Sequence, residues 1–189
     1  MGVLLQALLL EIPETLETPR LRLRATRAGL GRLVNEAVRE SHAQLKPWMP
    51  WAQEVPRLEE TEQHCRDAQA KWYSREMIDF CFFRATDDAF VGKGGLHTID
   101  WSVPKLEIGY WVRTSSAGQG YATEATVALA EFARTVLGAR RLEITSDARN
   151  AASRRVAEKA GFTLEGIHRQ KRRDAAGALY DSCMYARTF

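Results

Sequence analysis

Along the first half of the chain the spacing of apolar residues changes period several times. Leu21-Arg22-Leu23-Arg24 alternates apolar and basic residues, which predicts a half-buried strand over 16–26. Over 28–42 the apolar positions Leu30, Leu33, Val34 and Val38 recur at the three- and four-residue spacing of one helix face. Prolines exclude regular helix from Lys46-Pro47-Trp48-Met49-Pro50-Trp51. Cys65, Ala68 and Trp72 then mark a second helix over 58–75. Three strand patterns follow, over 78–85, 90–101 and 105–113, with a turn at Asp87-Asp88 and glycines at 92, 94 and 95. In the third of these, Leu106, Ile108, Tyr110 and Val112 share one face. Glu107, Gly109, Trp111 and Arg113 share the other.

In the second half, a glycine turn at 117–120 opens a long helix reaching about 137. Its stripe is Ala122, Ala125, Leu129, Phe132, Ala133 and Val136. A strand over 141–145 leads to Asn150, which caps a short helix ending at Gly161. Two strands, over 162–172 and 178–188, flank a turn at 174–177. Strands that first follow one another and then alternate with helices predict an α/β domain. Its centre is a mixed sheet of about seven strands, flanked by about four helices.

Composition narrows the class. The 189 residues suit one domain, taken as 16–189 behind an N-terminal extension at 1–15. With 27 basic and 24 acidic residues the net charge is +3, too balanced to imply a nucleic-acid binder. Cys65, Cys81 and Cys183 lie far apart and match neither a metal-ligand spacing nor a disulfide framework, so no metal is expected. The apolar start at 1–10 is shorter than the ~20 residues that span a bilayer. It also lacks a basic leader and a cleavage site, and is expected to pack on the body or on a second subunit. A reduced, cytoplasmic protein without a membrane partner is the expectation, with a homodimer left open.

The most informative segment runs from Glu107 to Ala125, where a strand enters Ala117-Gly118-Gln119-Gly120 and a helix begins at once. Glycines permit positive φ and close approach to backbone amides. The unpaired N–H groups of a helix start, with its dipole, attract an anion such as a pyrophosphate. The Gly-Lys-Ser/Thr of a Walker loop is missing, and Thr123 stands where a dinucleotide fingerprint needs its third glycine. An ordinary strand-to-helix turn is the competing reading.

The whole segment resembles the GNAT superfamily, whose CoA-binding signature is Arg/Gln-x-x-Gly-x-Gly/Ala. Here it reads Ser115-Ser116-Ala117-Gly118-Gln119-Gly120, with Ser115 in place of the usual Arg or Gln. Further patches are similar to the RimJ/RimL branch, which acetylates N-terminal amines of ribosomal proteins. They are residues 16–24, 45–51, 107–111, 120–125, 150–153 and 159–166. The ending at 180–187 is most similar to the members acting on the ribosomal stalk protein. Together they cover about 16–188.

The resemblance implies a splayed sheet, acetyl-CoA as co-substrate, and direct transfer to an amine. Pantetheine would bind amides around Trp111, Val112 and Arg113. The phosphates would lie on Ala117, Gly118, Gln119, Gly120, Tyr121 and Ala122, with Arg154 a further contact. Glu107 would act as general base, directly or through water, against the alternative of a solvated carboxylate on a polar strand face. Asn150 would cap its helix and touch the pantetheine arm. Ser153 would be either a polar residue in the first turn or the acid that protonates the thiolate. Trp48 and Trp51 would line the acceptor side or pack between helices. The basic run from His168 to Arg173 would be a solvated face or would attract an acidic protein substrate.

The leading acceptor is a protein N-terminus, with a small amine such as an amino acid or antibiotic as the alternative. A non-catalytic acyl-CoA sensor and a nucleic-acid module are readings of other classes.

Overall fold

A computed structural model describes residues 6–174 and 177–189. The elements are β1 (Thr15–Glu17), β2 (Leu21–Ala25), α1 (Gly31–Leu45), α2 (Leu58–Ser74), β3 (Ile78–Arg84), β4 (Phe90–Asp100) and β5 (Lys105–Val112). They continue with α3 (Tyr121–Thr135), β6 (Arg141–Asp147), α4 (Ala151–Lys159), β7 (Thr163–Arg173) and β8 (Leu179–Thr188). Short 3₁₀ turns lie at Pro50–Ala52 and Thr114–Ser116. The mixed α/β sheet expected from the sequence is present, with eight strands in the order β1-β2-β3-β4-β5-β6-β8-β7.

The additional strand comes from the segment 16–26. Thr18 donates its amide to Leu21 O (2.9 Å), and Pro19, which has no N–H, stands inside the resulting turn. The chain thereby folds back, so that Thr15 pairs with Arg24 and Glu17 with Arg22. In β2, Leu21 and Leu23 are fully buried and the arginines lie on the opposite face, as their alternation requires.

Helix α1 starts three residues later than the periodicity suggests, for a tertiary reason. Glu62 on α2 accepts hydrogen bonds from the amides of Gly29 (2.9 Å) and Gly31 (3.0 Å), capping α1 from outside. At Gly31 the helices touch: a β-carbon there would lie 2.5 Å from the Glu62 α-carbon. At the other end α1 runs to Leu45, with Lys46 as its C-cap just before Pro47.

The sheet separates two cores. On one side α3 and α4 cover Leu21, Leu23, Phe80, Phe82, Leu106, Ile108, Leu142 and Ile144, with Leu129, Phe132 and Ala133 of α3 packed on them. On the other, α1 and α2 cover Cys81, Phe83, Phe90 and Trp111 through Val34, Val38 and Cys65. The two faces of β5 foreseen from its alternation thus belong to two different cores. Residues 1–5 of the apolar start lie outside the described residues. Beyond them Ala7 is buried, and Arg75 donates to the carbonyls of Ala7 (3.3 Å) and Leu10 (2.7 Å), tying this segment to the body. Of the expected turn at 174–177, residues 175 and 176 also lie outside the described residues, while Gly177 donates its amide to Asp174 O (2.9 Å).

Candidate active site

Strands β5 and β6 are parallel neighbours for three residue pairs, Lys105 with Arg141, Leu106 with Leu142 and Glu107 with Glu143. Both strands continue, to Val112 and Asp147, but unpaired with each other. On its other edge β5 stays paired to β4 as far as Val112. Arg113 donates its amide to Val91 O (2.8 Å). Antiparallel bonding repeats every two residues, so the amides of Trp111 and Gly109 also face β4. The Ile108 amide points toward β6 and is taken up by the last of the three pairs, and those of Tyr110 and Val112 face the gap. Of the three amides expected to be free at Trp111, Val112 and Arg113, that of Val112 is the one so directed.

Beyond the gap lies the glycine turn. Its entrance is held by α1: Glu40 accepts the amide of Ser115 (3.0 Å) and the guanidinium of Arg113, and Ser41 Oγ accepts the amide of Thr114 (3.0 Å). Ser115 therefore serves here to anchor the turn to α1, through its backbone and its side chain. Gly118 and Gly120 have φ of +75° and +83°. No backbone acceptor is found for the amides of Gly118, Gln119, Gly120, Tyr121, Ala122 and Thr123 among the described residues. Gly118 would meet nothing within 4 Å if it carried a β-carbon. An exposed concave row of N–H groups at the start of α3 fits a phosphate or pyrophosphate.

Support for this turn comes from β2's approach, which the sequence did not reveal. Arg20 donates to Gln119 O (3.0 Å) and to Glu124 (2.6 Å), and its guanidinium lies 5.0 Å from the Tyr121 ring centre. Thr18 Oγ1 donates to the same carboxylate (2.6 Å). Burial alone would raise the Glu124 carboxyl, but the hydrogen bonds from Thr18 and Arg20 outweigh it and hold the pKa below the usual value. Tyr121 itself is buried in the core beneath the turn.

The gap opens into a cavity of about 660 Å³ on the α1–α2 side. It brings together Trp48, Trp51, Glu107, Trp111, Asn150 and Ser153, six of the residues singled out from sequence. Residues 117–122 form the separate surface nest. Arg154 lies outside the cavity wall and is committed to Tyr185 Oη (3.2 Å) and Ala148 O (3.3 Å). Trp51 and Trp111 rings are 6.2 Å apart, so the proline-broken loop closes one wall with aromatic surface.

At the start of α4, Asn150 Oδ1 accepts the amide of Ser153 (3.0 Å), the helix cap read from sequence. Tyr110 Oη lies 3.2 Å from both the Ser153 hydroxyl and its carbonyl. Burial pushes the Tyr110 phenol up to about 12, so it remains a neutral donor. Two hydroxyls thus meet where the parted strands reach the helix. Burial also raises Cys65 to about 11 and Cys81 to about 12, leaving both as thiols rather than nucleophilic thiolates.

Several cavity residues were missed from sequence. Lys93 is fully buried, forms an ion pair with Asp79, and lies 2.9 Å from His64 Nε2. Burial opposes the charge on Lys93, but Asp79 overcomes it and raises the pKa. Burial and the neighbouring Lys93 lower that of His64. The signal was available, since charged residues inside otherwise apolar strands require partners. His97, also missed, lines the cavity, as does Arg172 of the basic run singled out from sequence. No cluster of His, Cys, Asp or Glu able to hold a metal occurs among the described residues.

Parallel strands that part beside a backbone anion nest define a class of α/β domain that holds an extended, anion-ended ligand between them. The chain belongs to the acetyltransferase (GNAT) domain family, whose model matches residues 20–163. It is 36% identical over 96 residues, half of this chain, to the Bacillus subtilis (strain 168) protein named "Probable N-acetyltransferase YjcK". That match covers 53% of the relative, so the chain spans about half the length of the curated relatives it matches. Among solved structures it is similar to RimL, the ribosomal L7/L12 alpha-N-protein acetyltransferase, in complex with coenzyme A. That match has 28% identity and a TM-score of 0.85, covering 94% of this chain and 97% of the other. A Salmonella typhimurium acetyltransferase that modifies the N-terminal serine of ribosomal protein L7/L12 matches at 27% identity. Its TM-score is 0.81, with 94% and 98% covered.

Proposed function

We propose that the chain transfers an acetyl group from acetyl-CoA to the N-terminal α-amine of a protein, by direct attack in a ternary complex. The observation that carries this reading is the continuity of three features. They are the amide nest at 118–123, the bare inner edge of β5, and the cavity bearing Glu107 at the point where β5 and β6 part. The nest suits the pyrophosphate, and Tyr110 and Val112 offer backbone groups to the pantetheine amides. The thioester then falls near the parting point. The CoA complex of RimL and the activity named for the Salmonella protein support the same choice of donor and acceptor.

Attack needs a neutral amine, an acceptor for its proton, and a proton for the departing thiolate. Glu107 faces the cavity and draws the amine's proton away, directly, through water or through a side chain beside it. The paired hydroxyls of Ser153 and Tyr110 supply the proton on the thiolate side. An α-amine suits this site, because its pKa of about 8 leaves more neutral nucleophile than a lysine at about 10.4. Arg172 at the cavity wall and the exposed Arg169 and Lys171 beside it favour acidic residues behind the first one.

Thiol release from acetyl-CoA tests the reading. Acidic peptides beginning with Ser should react faster than peptides offering lysine alone, and added salt should raise KM more than it lowers kcat. Lys171→Glu with Arg172→Glu should erase the preference for acidic peptides. Faster acetylation of a free amino acid or an aminoglycoside would replace the protein acceptor with a small one. Acetyl-CoA binding without turnover of any amine would make the chain a sensor.

A further inference from the structure

We propose that His97 is a catalytic residue of this site: its Nε2 takes the amine's proton, and Glu107 acts as the counter-charge to the imidazolium that forms. The proposal rests on the reading of the cavity as an amine-acetylating site and changes which atom of that site receives the proton.

His97 on β4 is the cross-strand partner of Glu107 on β5, so the two side chains leave the sheet on the same face. Both line the cavity. The next pair on that face is Gly95 with Gly109, two residues without side chains. Into that space the imidazole leans: a β-carbon on Gly109 would lie 2.8 Å from His97 Nε2 and 3.3 Å from Cδ2. Gly109 has no positive φ and needs none. Its lack of a side chain is explained by the ring above it.

The other ring nitrogen is held. His97 Nδ1 lies 2.9 Å from Thr98 Oγ1. Thr98 reaches that position with φ of +50°, in the left-handed region that a β-branched residue avoids. Thr98 lies inside the register shift between His97 and Asp100, and the bulge there sets its backbone and so the place of its hydroxyl. In the tautomer that donates Nδ1–H to the threonine hydroxyl, the lone pair is on Nε2, the nitrogen over the glycine floor; the role proposed for His97 requires that tautomer. No other hydrogen bond to this ring occurs among the described residues.

The charged and titratable groups around the ring favour this role. Glu107 faces it from β5. Asp79 and Lys93, from β3 and β4, neutralise each other. Glu60 and His64 line the cavity from α2, Tyr110 from β5, Arg172 from β7 and Tyr180 from β8. Asp147 on β6 is tied to Arg149. Glu107 is therefore the anion directly across from an imidazolium at 97. In the reaction the amine nitrogen bonds to the acetyl carbon and the carbon–sulfur bond breaks. The amine's proton moves to Nε2, and the thiolate takes a proton from the Ser153–Tyr110 hydroxyls. The imidazolium then releases its proton to solvent, and solvent returns one to the hydroxyl pair, so no net proton is gained or lost.

The test is the pH profile of kcat/KM for the full chain with acetyl-CoA and an acidic Ser-starting peptide. It compares wild type with His97→Gln, Glu107→Gln, Gly109→Ala and Thr98→Val, each checked for native melting. Wild type should show an acid limb. His97→Gln should lower kcat by ~10²–10⁴-fold and remove that limb while leaving the KM for acetyl-CoA within about twofold. Glu107→Gln should lower kcat but keep the limb, because the imidazolium loses its counter-charge while the proton acceptor stays in place. Gly109→Ala, which removes no titrating group, should also lower kcat by displacing the ring, as should Thr98→Val by releasing it. A limb that survives in His97→Gln and vanishes in Glu107→Gln returns the proton to Glu107 and overturns the proposal. So does a His97→Gln rate within threefold of wild type, or a lower rate with an unchanged limb. A wild type that acetylates no amine refutes the underlying reading instead, and is seen before any variant is made.

Discussion

The two ends of the site are built by different means. At the glycine turn the groups offered to a ligand are main-chain amides, and side chains serve as props behind them: Arg20, Thr18 and Glu124 on one side, Glu40 and Ser41 on the other. In the cavity the working groups are side chains, gathered from α2, β3, β4, β5, α4 and the loop at 48–51. A backbone site depends on local conformation and tolerates varied side chains. A side-chain site depends on register between strands distant in sequence. The first should fail by changes in φ or in props, the second by unpaired charges.

The largest expected effect lies in the cavity wall. Lys93→Met leaves Asp79 buried without its partner and should cost about 3–5 kcal/mol in chemical denaturation. Adding Asp79→Leu should restore most of that loss. If the single variant is as stable as wild type, the ion pair is not what holds this wall, and the contrast between the two regions weakens.

Next comes the turn. Gly120 has φ of +83° and Arg20 Nη2 lies 3.3 Å from where its β-carbon would be. Gly120→Glu should lower CoA affinity by ~100-fold or more, about 2.7 kcal/mol, seen as loss of the ligand-induced rise in melting temperature. A folded variant that keeps the full shift would move the phosphates elsewhere.

The props should matter less than the backbone they hold. Glu124→Gln replaces charge-assisted hydrogen bonds by neutral ones and should cost about 1.5–3 kcal/mol near neutral pH. Because the Glu124 carboxyl is depressed in the folded chain, its contribution is present above the unfolded value of about 4.3 and is lost as pH falls through the folded one. The gap between wild type and this variant should therefore close on acidification. A gap that stays constant with pH would mean that the prop is steric.

The smallest effect is expected at Asn150, where cap and site coincide. Asn150→Ala should cost about 1 kcal/mol of stability through loss of the bond to the Ser153 amide. A fall in kcat/KM at temperatures where the variant remains folded would add a role in positioning Ser153. Unchanged kinetics would leave Asn150 a cap alone.

The difference between the regions also explains what could be read in advance. The turn at 117–120, the caps and the two faces of β5 are local, because a glycine, an N-cap or an alternation acts within a few residues. The wall residues Lys93, Asp79 and His64 are 14 and 15 residues apart in neighbouring elements, and their meeting follows from strand register. Amide directions in β5 likewise depend on the hydrogen-bonding phase with β4, fixed at Arg113 and Val91. Periodicity places side chains on faces but gives no such phase.

The sequence by itself determined the α/β class, the order of the elements from α1 onward and the glycine turn that opens α3, because periodicity and glycine placement act through short-range sterics. It also singled out Glu107, Trp48, Trp51, Asn150 and Ser153, which the tertiary structure collected in one cavity. Only that structure decided that 16–26 folds into two strands and that α1 begins where Glu62 can cap it. It also set His97 across from Glu107 over a glycine floor. Each of these depends on a contact between elements that are separate in sequence, and such contacts exist once the sheet has chosen its register.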